Sequence, residues 1–305
     1  MNEIFIHEVG PRDGLQSEKT IVPLDEKIRW IEGLLASGVD IIQLGSFVHP
    51  EKVPQMADTD ELFRHFAHAK PAHVTLSGLV LNEKGLERGF ACGVEMFCMG
   101  VSASETHSLK NTGMTTMEAH RRIISMACMA MAAGRKVQVS VQSAFGCGYE
   151  GPIDATRVLD LVKSYLDNDI RTISLADTAG HALPQQVEDM FGAIRALDPH
   201  VELACHFHNT YGLGLANCHA ALKSGVTYFE SSFGGLGGCP FTKVPAGNVS
   251  TEDLVHTLQR MGLRQDIRLD VLIDVARQVG SFFDRELPGF ILKSGSIVEF
   301  KGQPA

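Results

Sequence analysis

The stretch IFIHEVGPRDGLQ, residues 4–16, joins a short apolar run to a turn that contains an arginine, an aspartate and two glycines. The run has the length and the apolar content of a β-strand. An open, doubly wound α/β sheet often places a phosphate-binding turn of the form G-x-G-x-x-G after its first strand. Residues 10–16 read GPRDGLQ and lack that form. The turn therefore favours a (β/α)8 barrel over the doubly wound sheet.

Segments typical of strands and of helices alternate along the rest of the chain. In residues 25–37, for example, Ile28, Ile31 and Leu34 recur at intervals of three and mark one buried face of a helix. Eight pairs of strand and helix within roughly 260 residues match the size and order of a single α/β barrel of the TIM type. The predicted strands are 4–9, 40–44, 73–79, 94–99, 137–142, 171–175, 201–207 and 226–230, and the predicted helices are 25–37, 57–68, 83–91, 115–133, 153–167, 184–196, 212–224 and 250–261.

The barrel is expected to occupy residues 1–285 as one domain. The segment DVLIDVARQV, residues 270–279, predicts a short helical extension after the last barrel helix. We expect residues 286–305 to form an irregular C-terminal tail. No linker rich in Pro, Gly or Ser divides the sequence into two domains.

The charge balance narrows the classes of partner. Lys and Arg number 27 against 36 Asp and Glu, so the formal net charge of −9 repels nucleic acid and anionic membrane surfaces. The sequence contains no run of 18 apolar residues, and its start, MNEIFIHEVG, lacks the basic and apolar regions of a signal peptide. The seven cysteines include no C-x-x-C pair and indicate reduced thiols. We therefore expect a cytoplasmic protein with no nucleic-acid or membrane partner.

The stretch VELACHFHNTYG, residues 201–212, places two histidines at the end of a predicted strand. His206 and His208 lie two positions apart, so both side chains point to the same face of that strand. Barrel enzymes build their sites at this carboxyl end of the strands. Closing the barrel brings strand seven close to strand one, after which Asp13 lies, and the loop after strand eight can bring Asn248 to the same rim.

These four side chains predict a site for a divalent metal ion. Two imidazoles, one carboxylate and one amide oxygen form a mixed nitrogen and oxygen ligand set without a thiolate. Such a set favours Mg²⁺ or Mn²⁺, with Zn²⁺ and Co²⁺ as alternatives. The competing interpretation is that the two histidines are ordinary polar residues at a strand end.

Seven motifs occur in order from the first predicted strand to the helix after the eighth. They are EVGPRDGLQSEK at 8–19, GSFVHPEKVPQMAD at 45–58, VSASETH at 101–107, GCGYEG at 146–151, SLADTAG at 174–180, HFHNTYGLGLAN at 206–217 and GGLGGCPFTKVPAGNVSTEDLV at 234–255. Together they span nearly the whole chain, and they resemble the 3-hydroxy-3-methylglutaryl-CoA lyase family.

The resemblance implies an activity and a cofactor. A lyase of this family cleaves a 3-hydroxy-3-substituted acyl-CoA, such as 3-hydroxy-3-methylglutaryl-CoA or a close analogue. The cleavage is a metal-assisted retro-Claisen step that gives acetyl-CoA and a keto acid. The resemblance therefore implies that this chain has an acyl-CoA partner and a divalent metal ion held by Asp13, His206, His208 and Asn248.

The resemblance also implies catalytic roles. Arg12 would contact the substrate carbonyl, where its permanent positive charge can stabilise an enolate oxygen. Cys239 would lie on a glycine-rich loop over the site and could donate a proton to the enolate carbon. The general base stays open between Asp13 and His206, because a histidine bound tightly to a metal ion is a poor base.

Four further residues are candidates for contact with the substrate: Gln16, Lys19, Gln43 and Asp177. By the resemblance, Asp177 belongs to the surround of the active site. Lys19, like Lys110, is a basic candidate for the CoA phosphates, because an anionic substrate of this acidic protein must be met by local positive charge. The competing interpretation of both lysines is an ordinary solvated surface residue.

The chain departs from the family pattern at three places. Gln43 stands where the family carries a glutamate, Asn209 where an aspartate commonly follows the two histidines, and TKVPAGN at 242–248 where a small, glycine-rich run is usual. If the missing carboxylate orients Arg12, its loss lowers activity by about 10- to 100-fold. If it does not, an arginine free to pair with another acidic group indicates a different acyl substrate.

Three other functions are compatible with many of the same residues. A Claisen-condensing synthase shares the barrel and the metal site but usually carries a long C-terminal extension. An aldolase acting on a free 4-hydroxy-2-oxo acid would not depend on CoA. A non-catalytic homologue would bind the metal ion without turnover. We also consider a homodimer as the assembly.

Overall fold

The computed structural model describes residues 3–238 and 247–297, and its centre is a parallel sheet closed into a barrel. Each strand pairs with its neighbours in chain order, and the first strand pairs with the eighth. The predicted (β/α)8 fold is thereby confirmed. The strands are β1 (Phe5–Glu8), β2 (Ile41–Ser46), β3 (Thr75–Leu79), β4 (Met96–Ser102), β5 (Lys136–Gln142), β6 (Thr172–Asp177), β7 (Glu202–Phe207) and β8 (Tyr228–Ser231).

Helices surround the barrel. Each predicted helix is present, with ends that differ by a few residues from those expected. Within the described residues, no helix combines the length and the apolar character needed to span a bilayer. The helices are α1 (Leu24–Ser37), α2 (Thr59–Phe66), α3 (Glu83–Ala91), α4 (Glu105–Thr112), α5 (Thr116–Ala132), α6 (Ala155–Leu166), α7 (Pro184–Leu197), α8 (Gly214–Lys223), α9 (Thr251–Arg260), α10 (Leu269–Phe282) and α11 (Ile291–Ser294).

Helix α4 is absent from the predicted set because its sequence, ETHSLKNT, has no apolar face. Ser108 is the one buried residue along it, and Leu109 is exposed. The helix forms because Ser104 caps its first turn by accepting a hydrogen bond from the backbone N–H of His107. It ends at Gly113, whose φ of 74° is the left-handed conformation common after helices.

The segment after the barrel packs back onto it. Helix α10, the predicted extension, lies against α1. Residues 286–297, which were expected to be irregular, include the one-turn helix α11. The backbone N–H groups of Phe290 and Ile291 donate to the Asp253 carboxylate, so this part of the tail is held against α9. The domain boundary at residue 285 stays a prediction, and residues 298–305 lie outside the described residues.

The register of the strands decides which side chains meet inside the barrel. His7 on β1 pairs with Glu230 on β8, and Glu230 pairs with His206 on β7. Because paired positions on neighbouring strands point to the same face, these three side chains lie side by side. All three are buried. The barrel interior is therefore polar at this level, whereas the helices bury their apolar faces against the outside of the strands.

Arg264 connects the segment before α10 to the first two strands. Its guanidinium donates to the Ile4 carbonyl oxygen at 2.8 Å and to the Asp40 carboxylate at 2.6 Å. We expect Arg264→Met to lower the free energy of unfolding by about 3 kcal/mol, because it leaves the largely buried Asp40 carboxylate without its cation. Urea denaturation followed by circular dichroism measures this loss.

Arg268→Met is the matched control. Arg268 pairs with Asp270 at the surface, where both side chains are more than half exposed, so its loss should change stability by less than about 0.5 kcal/mol. Equal destabilisation in the two variants would show that the buried ion pair is not what stabilises this corner of the barrel.

Candidate active site

Arg12 and Asp13 sit on a tight turn directly after β1. Residues Gly10–Gly14 form a single π-helical turn in which the backbone N–H groups of Arg12 and Asp13 donate to the Val9 carbonyl oxygen, at 3.1 and 2.7 Å. A Cβ at Gly10 would lie 2.6 Å from buried neighbours, so the turn requires glycine there. It presents both charged side chains to the cavity at the carboxyl end of the barrel.

Asp13, His206 and His208 form the candidate metal cluster. One ligand atom from each residue lies within 4.8 Å of the others, and His206 Nε2 lies 3.9 Å from Asp13 Oδ2. Both histidines are buried, and Asp13 is half-buried. A carboxylate and two imidazoles at this separation have the donor types and the spacing to hold a divalent cation.

Asn248 lies against this cluster, and its side-chain oxygen accepts no hydrogen bond from the described residues. Its Nδ2 donates to Asp13 Oδ2 at 2.8 Å and to the Leu236 carbonyl oxygen at 2.9 Å. Because both partners are acceptors, the amide nitrogen must face them and Oδ1 stays available. Oδ1 of Asn248 and Nδ1 of His208 are buried with no hydrogen-bond partner among the described residues. Such atoms are rare in folded proteins, and here they fit a cluster that binds a cation.

Glu230 is a site residue that the sequence patterns did not reveal. Its Oε2 accepts a hydrogen bond from His206 Nδ1 at 2.9 Å, and its Oε1 accepts one from the Ser174 hydroxyl at 3.0 Å. A carboxylate on the far nitrogen fixes the imidazole ring and leaves Nε2 facing Asp13. The available signal was the acidic residue that ends the apolar run VTYFE, residues 226–230.

These contacts set the charge states of the cluster. Burial alone would raise the pKa of Glu230, but His206 lowers that pKa to about 2. Burial also opposes the charged form of His206, yet Glu230 raises its pKa. Burial lowers the pKa of His208 to about 4. Burial would raise the pKa of Asp13, but Arg12 and the two histidines hold it below its usual range. At pH 7 the cluster therefore offers a carboxylate and the neutral His208 imidazole, which are the forms that bind metal ions.

Arg12 is held on two sides. Its Nε donates to Gln43 Oε1 and its Nη1 donates to Asp13 Oδ1, both in close contact. The side chain is 12% exposed. Gln43 thus orients the guanidinium through a neutral amide, so Arg12 is not free, contrary to one of the two expectations for this position.

Asp177 is fully buried and faces away from the cavity. Its carboxylate accepts hydrogen bonds from the backbone N–H groups of His181 and Ala182, at 2.8 and 3.1 Å. Burial raises its pKa to about 6. The cavity is lined by the flanking residues Ala176 and Thr178 instead. Asp177 therefore shapes the loop after β6.

Asn209 also supports a loop. Its Oδ1 accepts a hydrogen bond from the Gly214 N–H at 3.0 Å, and its own N–H donates to the Gly247 carbonyl oxygen at 2.7 Å. The residue therefore satisfies the first N–H group of α8 and connects this helix to the segment that carries Asn248. An amide serves this purpose as well as a carboxylate does.

Of the remaining site residues expected from the sequence, only one of those that the structure describes lines the cavity. Gln16 lines the cavity, and its Oε1 is buried with no hydrogen-bond partner among the described residues. Lys19 is exposed and does not line the cavity. Cys239 and residues 242–246 lie outside the described residues.

The cavity at the carboxyl end of the barrel has two connected parts. The inner chamber, about 220 Å³, contains Arg12 and His206 in its lining. The outer chamber, about 410 Å³, contains Lys110 and Tyr149. Gln16 lines both, so the two are continuous. Lys110 Nζ lies 3.7 Å from the Tyr149 ring centroid, which places a positive charge at the entrance.

Two buried carboxyl groups accept hydrogen bonds from the backbone at the start of the glycine-rich segment after β8. Glu8 accepts a hydrogen bond from the Phe233 N–H at 3.0 Å, and Glu252 accepts one from the Gly234 N–H at 2.9 Å. Burial raises the pKa of Glu8 to about 7 and that of Glu252 to about 8. Gly234 has a φ of 62°, and a Cβ there would lie 2.3 Å from Leu287. This segment is therefore fixed where it leaves the barrel.

Comparisons with known proteins agree with this geometry. The HMGL-like family model matches residues 3–279. Hydroxymethylglutaryl-CoA lyase YngG of Bacillus subtilis is 36% identical over 94% of this chain and 95% of its own length. The human mitochondrial hydroxymethylglutaryl-CoA lyase is 37% identical over 93% of this chain and 86% of its own length. The (R)-citramalyl-CoA lyase of Chloroflexus aurantiacus is 34% identical over 97% and 96%, respectively.

Solved structures show the same similarity. A hydroxymethylglutaryl-CoA lyase from Acinetobacter baumannii, in complex with coenzyme A and 3-methylmalate, superposes with a TM-score of 0.91 at 36% identity, and the match covers 99% of this chain and 98% of that one. The enzyme from Bacillus subtilis gives a TM-score of 0.91 at 36% identity, with 96% and 97% covered. The likeness thus extends over the whole barrel.

We expect Glu230→Gln to weaken metal binding. The substitution keeps the side-chain size but removes the negative charge that orients His206, so the dissociation constant for Mn²⁺ should rise by about 10- to 100-fold. Isothermal titration calorimetry measures this constant. Glu202→Gln, at the exposed start of β7, is the control and should bind Mn²⁺ as the parent does. An unchanged constant in Glu230→Gln would mean that His206 is oriented without Glu230.

The raised pKa of Glu252 predicts a pH dependence of stability. Between the ordinary carboxyl pKa of 4.5 and about 8, the folded protein holds a proton that the unfolded chain releases. The contribution of Glu252 to the free energy of unfolding therefore falls as pH rises through this window. Between pH 5 and 8 we expect the free energy of unfolding of Glu252→Gln to fall less than that of the parent, by at least about 1 kcal/mol.

Urea denaturation at several pH values tests this dependence. The exposed Glu61→Gln is the control, and its profile should follow that of the parent. Parallel profiles for Glu252→Gln and the parent would show that Glu252 is not protonated in the folded protein.

Proposed function

The chain belongs to the HMGL-like family, and we propose on that basis that it cleaves a 3-hydroxy-3-substituted acyl-CoA to acetyl-CoA and a keto acid. It is a carbon–carbon lyase of the hydroxymethylglutaryl-CoA lyase type. The observation that carries the proposal is the cluster of Asp13, His206 and His208 beside Arg12 at the carboxyl end of the barrel. The substrate is 3-hydroxy-3-methylglutaryl-CoA or a close analogue.

The cluster is proposed to hold a divalent metal ion, with Asn248 as a fourth ligand. When bound there, such an ion stabilises negative charge that develops on the substrate hydroxyl oxygen. The mixed nitrogen and oxygen donors favour Mg²⁺ or Mn²⁺, with Zn²⁺ and Co²⁺ as alternatives.

Arg12 is proposed to stabilise the enolate oxygen of the departing thioester. Its guanidinium is always charged, and Gln43 and Asp13 hold it in one orientation at the chamber wall. A fixed positive group costs no reorganisation as charge develops. Removing it should cost about 3 kcal/mol of transition-state stabilisation or more.

The hydroxyl proton is proposed to go to Asp13 or His206, both of which stand in the cluster. Glu230 makes His206 the more basic of the two, while Arg12 and the histidines make Asp13 a weak base. His206 Nε2 is also its proposed metal-binding atom, because Nδ1 bonds to Glu230, so the general base stays open between the two residues. Cys239 is proposed to return a proton to the enolate carbon.

The acyl-CoA is proposed to enter through the outer chamber. Lys110 lines that chamber, and both Lys110 and Lys19 are candidate partners for the CoA phosphates. A homologous lyase has been solved with coenzyme A bound, which supports a thioester substrate. A homodimeric assembly and a cytoplasmic location stay predictions.

A second candidate substrate is a citramalyl-CoA. The similarity to an (R)-citramalyl-CoA lyase is nearly as high as that to the hydroxymethylglutaryl-CoA lyases. The two substrates differ in the distance between the free carboxylate and the 3-hydroxyl. In citramalyl-CoA the carboxylate is attached to C3 itself, whereas in 3-hydroxy-3-methylglutaryl-CoA a methylene group separates the two.

Acetyl-CoA release from a panel of 3-hydroxyacyl-CoA thioesters tests the proposal. We expect release from one or both candidate thioesters with Mg²⁺ or Mn²⁺, none from the free acids, and loss of activity with EDTA. Arg12→Met should keep its metal affinity and lose about 100-fold or more in kcat/KM. Bound metal without any cleavage would indicate a non-catalytic homologue, and cleavage of a free acid would indicate an aldolase.

A further inference from the structure

The second oxygen of the Glu230 carboxylate is held by two uncharged side chains inside the barrel. Oε2 accepts the hydrogen bond from His206 Nδ1, whereas Oε1 accepts one from the Ser174 hydroxyl at 3.0 Å and one from the Gln138 amide. Gln138 lies on β5 and Ser174 on β6. All four side chains are buried. Donors to both oxygens therefore fix the rotation of the carboxylate about its last bond.

The Gln138 amide has one possible orientation at this contact. A carboxylate only accepts hydrogen bonds, so the amide nitrogen must face Glu230 and the amide oxygen must point away from it. The Gln138 side chain also raises the pKa of the neighbouring His7. The amide oxygen accounts for this effect, because an acceptor favours the protonated imidazole. The amide therefore cannot turn over without losing both interactions.

The two uncharged donors leave the negative charge of Glu230 to act on His206. Within the part of the chain that the structure describes, the ion-pair partner of Glu230 is His206, with Nδ1 and Oε2 2.9 Å apart. The Gln138 amide and the Ser174 hydroxyl orient the carboxylate without compensating its charge. Hydrogen bonds to a charged group are also stronger than those between neutral groups, so each donor contributes to the position of Oε1.

Gln138 can be changed without altering the cavity surface. Ser174 lines the inner chamber, as Glu230 and His206 do, whereas Gln138 lines neither chamber. A substitution of Gln138 therefore reaches the metal cluster through Glu230 and leaves the groups that a substrate would contact in place.

We propose that Gln138 is a positioning residue of the metal site. It holds Glu230 in the orientation in which Oε2 accepts from His206 Nδ1, so that His206 presents Nε2 to the cluster, 3.9 Å from Asp13 Oδ2. The inference rests on the proposed metal site and adds a residue of β5 to it. Because Gln138 acts through Glu230, it should affect the affinity for the cation before any substrate binds.

A double-mutant cycle with Glu230 tests this role. Gln138→Met keeps the length of the side chain and removes the amide donor, and it should raise the dissociation constant for Mn²⁺ by about 10-fold, as the loss of groups behind a metal ligand does. In the Glu230→Gln background the same substitution should raise the constant by less than about 2-fold, because the charge through which Gln138 acts is gone. Isothermal titration calorimetry measures all the constants of the cycle.

Gln259→Met is the matched control. The Gln259 amide donates to the backbone carbonyl oxygens of Arg264 and Ile267, after the end of α9, so the control also removes amide hydrogen bonds of a structural kind. Its constant for Mn²⁺ should equal that of the parent. Gln138→Asn keeps an amide on a side chain one carbon shorter. It should show the same increase of about 10-fold, and it replaces Gln138→Met if that variant does not fold.

The Nδ1 proton of His206 gives a readout that requires neither turnover nor a metal ion. A hydrogen bond to a carboxylate moves such a proton downfield in the NMR spectrum and slows its exchange with water. We expect this resonance, identified by its absence in His206→Gln, to move upfield and to exchange faster in Gln138→Met. In Gln259→Met it should stay at the parent position.

The outcomes separate the inference from the proposed function. If Gln138→Met, folded by circular dichroism, keeps either the parent constant or the parent resonance, the inference is wrong and the metal site stands. If its effect on the constant is the same with Glu230 and with Glu230→Gln, Gln138 acts through packing, and the inference is again wrong. If the parent itself binds no Mn²⁺, the proposed metal site is overturned, and the inference with it.

Discussion

The pairing of β8 with both β1 and β7 is the constraint on which the site depends. It brings the turn after β1, with Asp13, next to the histidines of β7, although these residues come from opposite ends of the chain. The register matters as much as the order of strands. Because side chains alternate between faces, a shift of β8 by one residue would turn Glu230 out of the barrel and leave His206 without its orienting carboxylate.

The fold, and with it the meeting of Asp13, His206 and His208, could be predicted from the pattern of strands and helices. Strand and helix periodicities alternate eight times, and His206 and His208 fall at the end of one strand while Asp13 follows another. Once the barrel is assumed, strand ends must share a rim. Helix α4 could not be predicted in this way, because a cap at Ser104 and not an apolar face fixes it.

The roles of the buried acids could not be predicted, because an isolated Glu or Asp in a sequence gives no sign of its burial. Glu230, Glu252 and Asp177 are all buried, and each is stabilised by partners that only the three-dimensional register supplies. Glu230 faces the site through His206, whereas Asp177 and Glu252 accept hydrogen bonds from loop backbones. The resemblance placed Asp177 near the site but could not show that it faces the loop.

Gln43 changes the charge balance of the site without disturbing its geometry. A glutamate there would share the charge of Arg12 with Asp13, whereas the neutral amide leaves Asp13 as the single carboxylate in contact with Arg12 among the described residues. The cluster side is then one charge more positive, which favours an anionic group of the substrate on that side.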